Sequence, residues 1–377
     1  MKILHIADSI KGGIATQLNS LWPNQAERFG TNAVRMAIPA AHRPDLPDVP
    51  DKAVHLLPDT SRRPQGLAQH TKAVAQAIVA ENPDVVHAHS AIAGAAVRFL
   101  KTFGQCGAPI VYCPHGWAFD RADGTLAKPF YAAAERFLAP KAAAILCISK
   151  HEYWRARQLG IARHRLYLVY NGLPGGGTAP PRSRPKKKPP AERQVLHLAF
   201  VGRLDRQKGF DVLLSALGKV QREVRLTCIG APVLNDSRIT ADIGALRHQV
   251  DFLGWQPPNR VHQHIADSDL VVVPSRWEGF GLVAAEALQS GTPVIASRCG
   301  GLTEVIADGV TGRLVPPDDP QALAEAIEQL DDKDLQTWTQ QAPARFQAYF
   351  NAERMARRVD SIYALLGVSA CNESQLS

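Results

Sequence analysis

The sequence predicts an α/β protein made of two domains, each with a parallel β-sheet. Short apolar runs alternate with segments whose apolar residues recur at helical spacing over almost all of the 377 residues. The runs are continuously apolar, as strands covered on both faces are, and the segments between them are the crossovers that parallel strands require. Two domains are the default at this length, because single hydrophobic cores stop growing at about 250 to 300 residues.

Ten apolar runs are predicted to be strands, six before a break in the pattern and four after it. In chain order they are 2–7, 33–38, 84–89, 109–113, 143–149, 166–171, 196–202, 224–230, 269–275 and 292–297. Segments 210–220 and 320–330 carry apolar residues at helical spacing. The alternation of strand and helix therefore continues on both sides of the break.

The break itself predicts an interdomain linker. Residues 172–194 combine glycine, proline and a lysine run with almost no apolar side chains. The predicted domains are therefore 1–171 and 195–350. Residues 351–377 should form a final helix, which packs on one of the domains and can return to the first, followed by a tail. The helical stripe that indicates it consists of Met355, Val359, Ile362 and Leu366.

The composition is that of a soluble globular protein, with 45% hydrophobic and 21% charged residues. Asp8 interrupts the N-terminus before the apolar region of a signal peptide could develop, and no apolar run approaches the ~20 residues that span a bilayer. The six cysteines show no CxxC or framework spacing, which fits reduced thiols. These observations predict a cytoplasmic protein.

Charge is distributed unevenly along the chain. Residues 1–194 contain 26 Lys and Arg against 13 Asp and Glu (+13), and residues 195–377 contain 17 against 22 (−5), which together give the net +8. A basic half indicates an anionic partner such as a lipid headgroup, a phosphate or a nucleic acid. A merely solvated surface explains the charge equally well.

Two strand ends of the first half carry candidate site residues, because ligands of open parallel sheets bind at the carboxyl ends of the strands. In 8–18 (DSIKGGIATQL), Gly12 and Gly13 would let backbone amides approach a phosphate at a helix start, although a plain turn is the commoner use of such a pair. In 112–120 (YCPHGWAFD), His115 follows a strand and faces the predicted crevice. A lone histidine is more often structural than catalytic.

The first strand of the second half leads into a basic loop. In 201–217 (VGRLDRQKGFDVLLSAL), Arg203 and Lys208 lie between strand and helix, and Asp211 is expected at the start of the helix. Two cations in such a loop can bind a diphosphate and neutralise the charge that develops on a leaving group. The alternative is a solvated basic loop.

A later stretch of the second half carries two carboxylates. In 274–288 (PSRWEGFGLVAAEAL), Glu278 precedes a Gly-Phe-Gly turn whose backbone amides are expected to face the crevice. Glu286 follows inside an apolar helix, where an unpaired carboxylate is costly. We expect it near the helix N-terminus, whose dipole favours an anion, facing the crevice.

Two further patterns are not expected to hold a metal ion. His87 and His89 are expected to point to opposite faces of a strand, and Asp267 and Asp269 are expected at the end of a helix before a buried strand. The sequence contains no GxGxxG, no GxxxxGK[ST] and no GxSxG. The usual support for a dinucleotide oxidoreductase, a P-loop NTPase or a serine hydrolase is therefore missing.

Glu278 and Glu286, spaced as E-x7-E around the turn, together with VGRLDRQKG (201–209), closely resemble the retaining GT-B glycosyltransferases of family four. The resemblance covers nearly the whole chain and is densest from 195 to 330. Further matching segments are PDVVHAHS (83–90), CISK (147–150), VYNG (169–172), GTPVIAS (291–297) and CGGLTEVIADGVTGRLVPPDDPQALAEAI (299–327).

The resemblance implies two facing Rossmann-like domains, with the nucleoside-diphosphate sugar held mainly by the second. Arg203 and Lys208 would bind the diphosphate, Glu286 the ribose hydroxyls and Glu278 the transferred sugar. The backbone amides that would also bind the sugar are those of Gly279, Phe280 and Gly281.

In the first domain the resemblance places His115 near the reacting carbon, and Gly12 and Gly13 at the diphosphate and acceptor side. Such enzymes keep the anomeric configuration by front-face attack that the leaving group assists. They use no metal and no cofactor, since cations and helix-terminal amides can stabilise the leaving diphosphate.

Donor and acceptor follow less directly. Where the family often has a G-x-G-P turn near the nucleobase, this chain has IGAPVLND (229–236), so UDP is favoured over GDP only weakly. Members of this kind often build bacterial exopolysaccharide, capsule or lipopolysaccharide on polyprenyl-linked intermediates at the inner membrane leaflet. The basic half would be the acceptor half, so peripheral contact with anionic membrane is expected.

Two other classes of function remain open. One is a GT-B enzyme that does not transfer sugar to an acceptor, such as a sugar-nucleotide epimerase or a phosphorylase. The other is a basic α/β protein that binds nucleic acid, although its basic runs lack interleaved aromatic residues.

Overall fold

The computed structural model describes residues 1–10, 12–59, 63–120, 126–175, 195–231 and 246–367. Most of the predicted linker and the end of the predicted tail lie outside the described residues. The chain divides into two compact units, Met1–Pro174 with Asn351–Ser377, and Gly175–Phe350. Each unit contains one parallel sheet of the Rossmann type, so the predicted fold class, the GT-B architecture of two such domains, is confirmed.

The first unit is built on a seven-stranded sheet with the strand order β3-β2-β1-β4-β5-β6-β7, and each neighbouring pair is parallel. Its strands are β1 (Ile3–Ala7), β2 (Val34–Pro39), β3 (Val54–Leu57), β4 (Val85–His89), β5 (Ile110–Cys113), β6 (Ala144–Cys147) and β7 (Leu166–Leu168). Its helices before the linker are α1 (Gly13–Phe29), α2 (Pro64–Glu81), α3 (Ala91–Thr102), α4 (Lys128–Leu138) and α5 (Lys150–Gln158).

The second unit is built on a six-stranded parallel sheet with the order β10-β9-β8-β11-β12-β13. Its strands are β8 (Leu196–Val201), β9 (Val224–Ile229), β10 (Gln249–Phe252), β11 (Leu270–Val273), β12 (Val294–Ser297) and β13 (Gly312–Val315). Its helices are α6 (Phe210–Leu217), α7 (Pro258–Asp267), α8 (Leu282–Gln289), α9 (Leu302–Val305), α10 (Pro320–Glu328) and α11 (Asp332–Tyr349).

The last helix, α12 (Ala352–Leu365), belongs to the first unit and packs on α1. Three of the four residues of the stripe that indicated it are buried, and Leu366 is half-buried just beyond its end. Arg28 of α1 donates to the Asp360 carboxylate at 3.2 Å. Apolar packing and this ion pair fix the helix against the first sheet.

All ten predicted runs contain a strand, but three strands are missing from the prediction. They are β3, β10 and β13, and each lies at an edge of its sheet. β3 and β10 are largely half-buried or exposed, and β13 carries a half-buried arginine. An edge strand has one open side, so its sequence need not be continuously apolar.

The predicted geometry of one histidine pair was wrong. Residues two apart on a strand point to the same face, and the His87 and His89 rings stack with centroids 4.2 Å apart. The other dyad behaves as expected, since α7 ends at Asp267 and the Asp269 carboxylate accepts from the His197 backbone at 3.0 Å.

The structure also bears on the cysteines and on the length of the apolar helices. The five cysteines in the described part of the chain carry free thiols. Among the described residues, none of the helices combines the length and the apolar character needed to cross a bilayer.

Candidate functional site

The loop between β8 and α6 is held against the end of β11. Gly209 has a φ of +66°, and a Cβ atom at this position would lie 2.0 Å from the Pro274 carbonyl oxygen. Only glycine satisfies both conditions, so the basic loop and the stretch 274–281 meet through their backbones.

Arg276 fastens the same two segments together and was missed from the sequence. Its guanidinium donates to both carboxylate oxygens of Asp211, at 2.8 and 2.7 Å, and to Asp318 at 2.9 Å. Hydrogen bonding to Asp211 and then to Asp318 raises the pKa of this guanidinium. Asp211 lies in the first turn of α6, as expected. An arginine directly after a strand end was the available signal, because such side chains form bidentate pairs with carboxylates.

Lys208 and Glu278, predicted to serve diphosphate and sugar, contact each other. The Lys208 Nζ atom lies 2.5 Å from Glu278 Oε2 in a part-buried ion pair. The Lys208 backbone also donates to Asp205 Oδ1 at 3.0 Å, which fixes the turn that presents it. The pair places a cation and an anion side by side at the carboxyl end of the sheet.

Arg203 is directed elsewhere. Its Nε donates to Asp205 at 2.7 Å and its Nη2 to Gln207 at 2.8 Å, and 54% of its side chain is exposed. The two side chains therefore pair differently, Arg203 with Asp205 and Gln207, and Lys208 with Glu278, although the Lys208 backbone also donates to Asp205.

The Gly-Phe-Gly turn is packed from below by a second glycine-rich loop. Gly300, at a φ of +49°, approaches so closely that a Cβ atom would lie 1.8 Å from the Glu278 carbonyl oxygen, to which Gly301 donates at 3.1 Å. The Phe280 side chain is buried against Phe350. Only the backbone of Phe280 can therefore serve a ligand.

Glu286 lies on α8 but not at the position expected. Gly281 caps the helix and Leu282 is its first residue, so Glu286 falls outside the first turn, and the first turn contains no acid. The helix-dipole argument was therefore wrong, because that effect is confined to the first turn. Burial raises the pKa of the half-buried Glu286 carboxyl to about 7, although Lys208 lowers it in part. The group is poised between its neutral and ionised forms.

His115 follows β5 in a left-handed conformation, with a φ of +54°. Non-glycine residues with positive φ are uncommon and often belong to functional sites. Its Nε2 atom lies 3.0 Å from Nδ1 of His89, and burial lowers its pKa to about 3. His115 is therefore a neutral ring tied to a buried neighbour.

Gly12 and Gly13 form the start of α1. Gly12 is the N-cap with a φ of +68°, and a Cβ atom there would meet no other atom within 4 Å. A cavity of about 230 Å³ lies near the carboxyl ends of β1 to β4. It is lined by Asp8, Ser9, Pro39, Ala41, His42, Asp59 and Ile92.

One group of described side chains could hold a metal ion. It consists of His5, His87 and His89, whose ligand atoms lie within 4.8 Å of one another in the core of the first unit. The nucleobase loop named from the sequence, 229–236, extends beyond the described residues after position 231.

Two family descriptions match the chain, one in each unit. Residues 12–172 match "Glycosyl transferase 4-like domain" and residues 196–332 match "Glycosyl transferases group 1". Together they span most of the sequence and include all the predicted site residues.

Similar proteins of known sequence include a protein of the cps region of Klebsiella pneumoniae, 29% identical over 370 residues. That match covers 96% of this chain and 98% of the Klebsiella protein. D-inositol 3-phosphate glycosyltransferase of Corynebacterium diphtheriae is 38% identical over 191 residues. This second match covers 47% of the chain and 44% of the relative, so the similarity concerns about half of each protein.

Among solved structures, Anabaena Alr3699/HepE in complex with UDP superposes with a TM-score of 0.79 at 22% identity. The superposition covers 97% of this chain and 100% of the Anabaena chain. At this identity the likeness establishes the fold.

Proposed function

We propose that this chain is a retaining enzyme that uses a UDP-sugar. It is a glycosyltransferase of the GT-B type, with a glycosyl transferase 4-like domain and a glycosyl transferases group 1 domain. The acceptor is a glycan or a polyprenyl-linked intermediate of cell-surface polysaccharide synthesis. The Lys208–Glu278 pair, beside the half-buried Glu286, carries the proposal. The UDP held by the Anabaena structure and the cps region of the Klebsiella relative support the donor and the pathway.

The ion pair suggests how the donor is received. When the diphosphate arrives, Lys208 exchanges its Glu278 partner for a phosphate oxygen, and Arg203 releases Asp205 to join it. Glu278 is then free to accept hydroxyl groups of the sugar together with the amides of the adjoining turn. Cations placed where charge develops stabilise the leaving group without a metal ion.

Transfer then proceeds on one face of the sugar. The bond between the anomeric carbon and the diphosphate oxygen breaks, and the acceptor oxygen forms its bond from the same side. The acceptor proton passes to the departing diphosphate, so atoms and charge balance. In this scheme Glu286 binds the ribose, and the role that the family resemblance implies for His115 is at the reacting carbon.

The proposal is tested by incubating the protein with UDP- and GDP-sugars and measuring released nucleoside diphosphate, with and without EDTA. Slow hydrolysis of one UDP-sugar, unaffected by EDTA, is expected. An epimerised sugar nucleotide or a sugar 1-phosphate product would favour the non-transferring alternatives. Binding of RNA in a filter assay, with no turnover of any sugar nucleotide, would favour the nucleic-acid alternative.

A surface of the first unit supports peripheral binding to anionic membrane. On α4, Phe130 and Phe137 are both 72% exposed and lie two turns apart on one face, and Leu126 before the helix is 97% exposed. Lys128 and Arg136 lie on the same helix. Aromatic side chains between basic ones are typical of helices that lie in a membrane interface, and the charge of +13 over residues 1–194 adds attraction. We name Leu126, Phe130 and Phe137 the α4 face.

A further inference from the structure

Three histidines and a glutamine form one chain of hydrogen bonds through the core of the first unit. His115 Nε2 lies 3.0 Å from His89 Nδ1, and His89 Nε2 lies 3.0 Å from His5 Nδ1. His5 Nε2 lies 2.8 Å from the Gln25 amide oxygen. The Gln25 amide nitrogen faces Asp360 of α12 at 3.4 Å. The chain thus joins the end of β5 to the last helix through β4, β1 and α1.

The rings in this chain are neutral. His5 and His89 are buried, and along the chain each contacting ring nitrogen faces another imidazole or the Gln25 amide oxygen rather than a carboxylate, so the neutral form of the rings is favoured. A neutral imidazole has one N–H donor and one acceptor nitrogen. Each ring must therefore donate at one end and accept at the other.

The direction of donation is set at the α12 end. Arg28 donates to Asp360 at 3.2 Å, and above a pH of about 6 the Asp360 carboxyl is ionised and can only accept. The Gln25 amide nitrogen therefore turns toward Asp360, and its oxygen turns toward His5. His5 must therefore donate a hydrogen bond to that oxygen from its Nε2–H.

The tautomers of His89 and His115 follow from that of His5. With its proton on Nε2, His5 accepts at Nδ1 from His89 Nε2–H, and His89 then accepts at Nδ1 from His115 Nε2–H. We propose that Gln25, His5 and His89 are positioning residues that hold His115 in its Nε2–H tautomer, with Nδ1 as the hydrogen-bond acceptor. The ring orientation and the tautomer are fixed by the same contacts.

A metal ion at His5, His87 and His89 is the competing use of this cluster. Two of the nitrogen atoms are only 3.0 Å apart, the distance of a hydrogen bond, and both rings have further partners in the chain. The hydrogen-bonded arrangement therefore accounts for the contacts of His5 and His89 without an ion.

The consequence for transfer rests on the proposed function of His115. A ring that presents a lone pair at Nδ1 accepts a hydrogen bond from a hydroxyl group of the bound sugar or acceptor, whereas the opposite tautomer would present a donor. The left-handed backbone of His115 keeps the ring within reach of His89. Because the ring is already oriented before the substrate binds, the reaction requires no free energy to reorganise it.

Nitrogen-15 NMR of histidine-labelled full-length protein at pH 7.5 tests the tautomers directly, because protonated and unprotonated ring nitrogens resonate far apart. His5, His89 and His115 are assigned with single His→Gln variants. All three are expected as neutral Nε2–H rings, unchanged by EDTA. A proton on Nδ1 of His115, or spectra that change with EDTA, would overturn the inference. This arm needs no transferase activity, so its failure is distinct from a failure of the proposed function.

Gln25→Met removes the acceptor while keeping the volume of the side chain. In Gln25→Met the ring of His115 should shift toward Nδ1–H, and kcat should fall on the order of tenfold, equivalent to about one good hydrogen bond, with KM for the donor little changed. An unshifted tautomer in Gln25→Met, or a shifted tautomer with unchanged kcat, would overturn the inference.

Discussion

At the scale of single residues, the site depends on carboxylates whose surroundings differ. Glu278 forms an ion pair with Lys208 at 2.5 Å, whereas burial raises the pKa of Glu286 to about 7. The sequence predicted both positions but not this difference. The helix boundary that removes Glu286 from the first turn, and the lysine contact from a loop 70 residues away, depend on tertiary packing.

The raised pKa of Glu286 gives nucleotide binding a pH dependence. If Glu286 binds the ribose as proposed, the hydroxyls donate to its ionised form and binding expels a proton below pH 7, so UDP affinity should rise roughly 15-fold between pH 5.5 and pH 7. Isothermal titration in two buffers measures the proton release. In Glu286→Gln the dependence should shrink to that of the UDP phosphate itself. An identical pH profile in both proteins would contradict the ribose assignment.

At the scale of elements, the loops of the second unit are positioned by glycines that no other residue can replace. Gly300→Ala should push the Glu278 carbonyl away and lower kcat strongly. Gly309→Ala is a matched control, because Gly309 also has a positive φ, +75°, but open space where a Cβ atom would lie. Both variants carry the backbone strain and Gly300→Ala adds a steric clash, so its Tm should be the lower of the two, and only Gly300→Ala should lose turnover at a temperature where both variants are folded. Equal activities would show that the turn tolerates displacement.

The α4 face provides a second prediction at this scale. Phe130→Ser with Phe137→Ser should abolish sedimentation with phosphatidylglycerol vesicles, and binding of the wild type should fall steeply with salt. Val79→Ser is the matched control, since Val79 is 76% exposed on another helix of the same unit. Retained binding by the double variant would leave the basic charge alone as the explanation, whereas a wild type that does not sediment with these vesicles would favour a soluble acceptor.

Most elements could be predicted from the sequence because buried parallel strands need continuous apolar runs. β3, β10 and β13 could not, since an edge strand can carry polar residues on its open side. The prediction that His87 and His89 on β4 point to opposite faces was wrong, because residues two apart on a strand share a face. The contact of His87 with Tyr363 of α12 could not be predicted, because these residues are far apart in the sequence.

At the scale of the whole molecule, the histidine cluster makes the first unit sensitive to acid. The pKa values of His5, His87, His89 and His115 are lowered on folding, chiefly by burial, so the stability they contribute is present above about pH 6.5 and is lost as pH falls. Asp360, with its pKa raised to about 6, opposes this loss.

The four lowered histidine pKa values outweigh the one raised carboxyl pKa in this cluster, so the slope of the unfolding free energy against pH should be steep between pH 6 and 5. Urea unfolding of the full-length protein, followed by fluorescence, measures this slope. His87→Phe should reduce it by about one proton. A stability that does not change over this range would mean that these rings are not held neutral.

We propose that the second unit binds the nucleoside diphosphate through Glu286 and orients the transferred sugar through Glu278. The decisive measurement is calorimetric titration of Glu278→Ala and Glu286→Ala with UDP, followed by turnover of the UDP-sugar that the wild type uses. Glu286→Ala should weaken UDP binding and matter little for a 2′,3′-dideoxy analogue. Glu278→Ala should keep or raise UDP affinity, because Lys208 then has no carboxylate to leave, while kcat collapses, the pattern of an interaction made mainly in the transition state. Equal loss of UDP affinity in both variants would contradict the assignment.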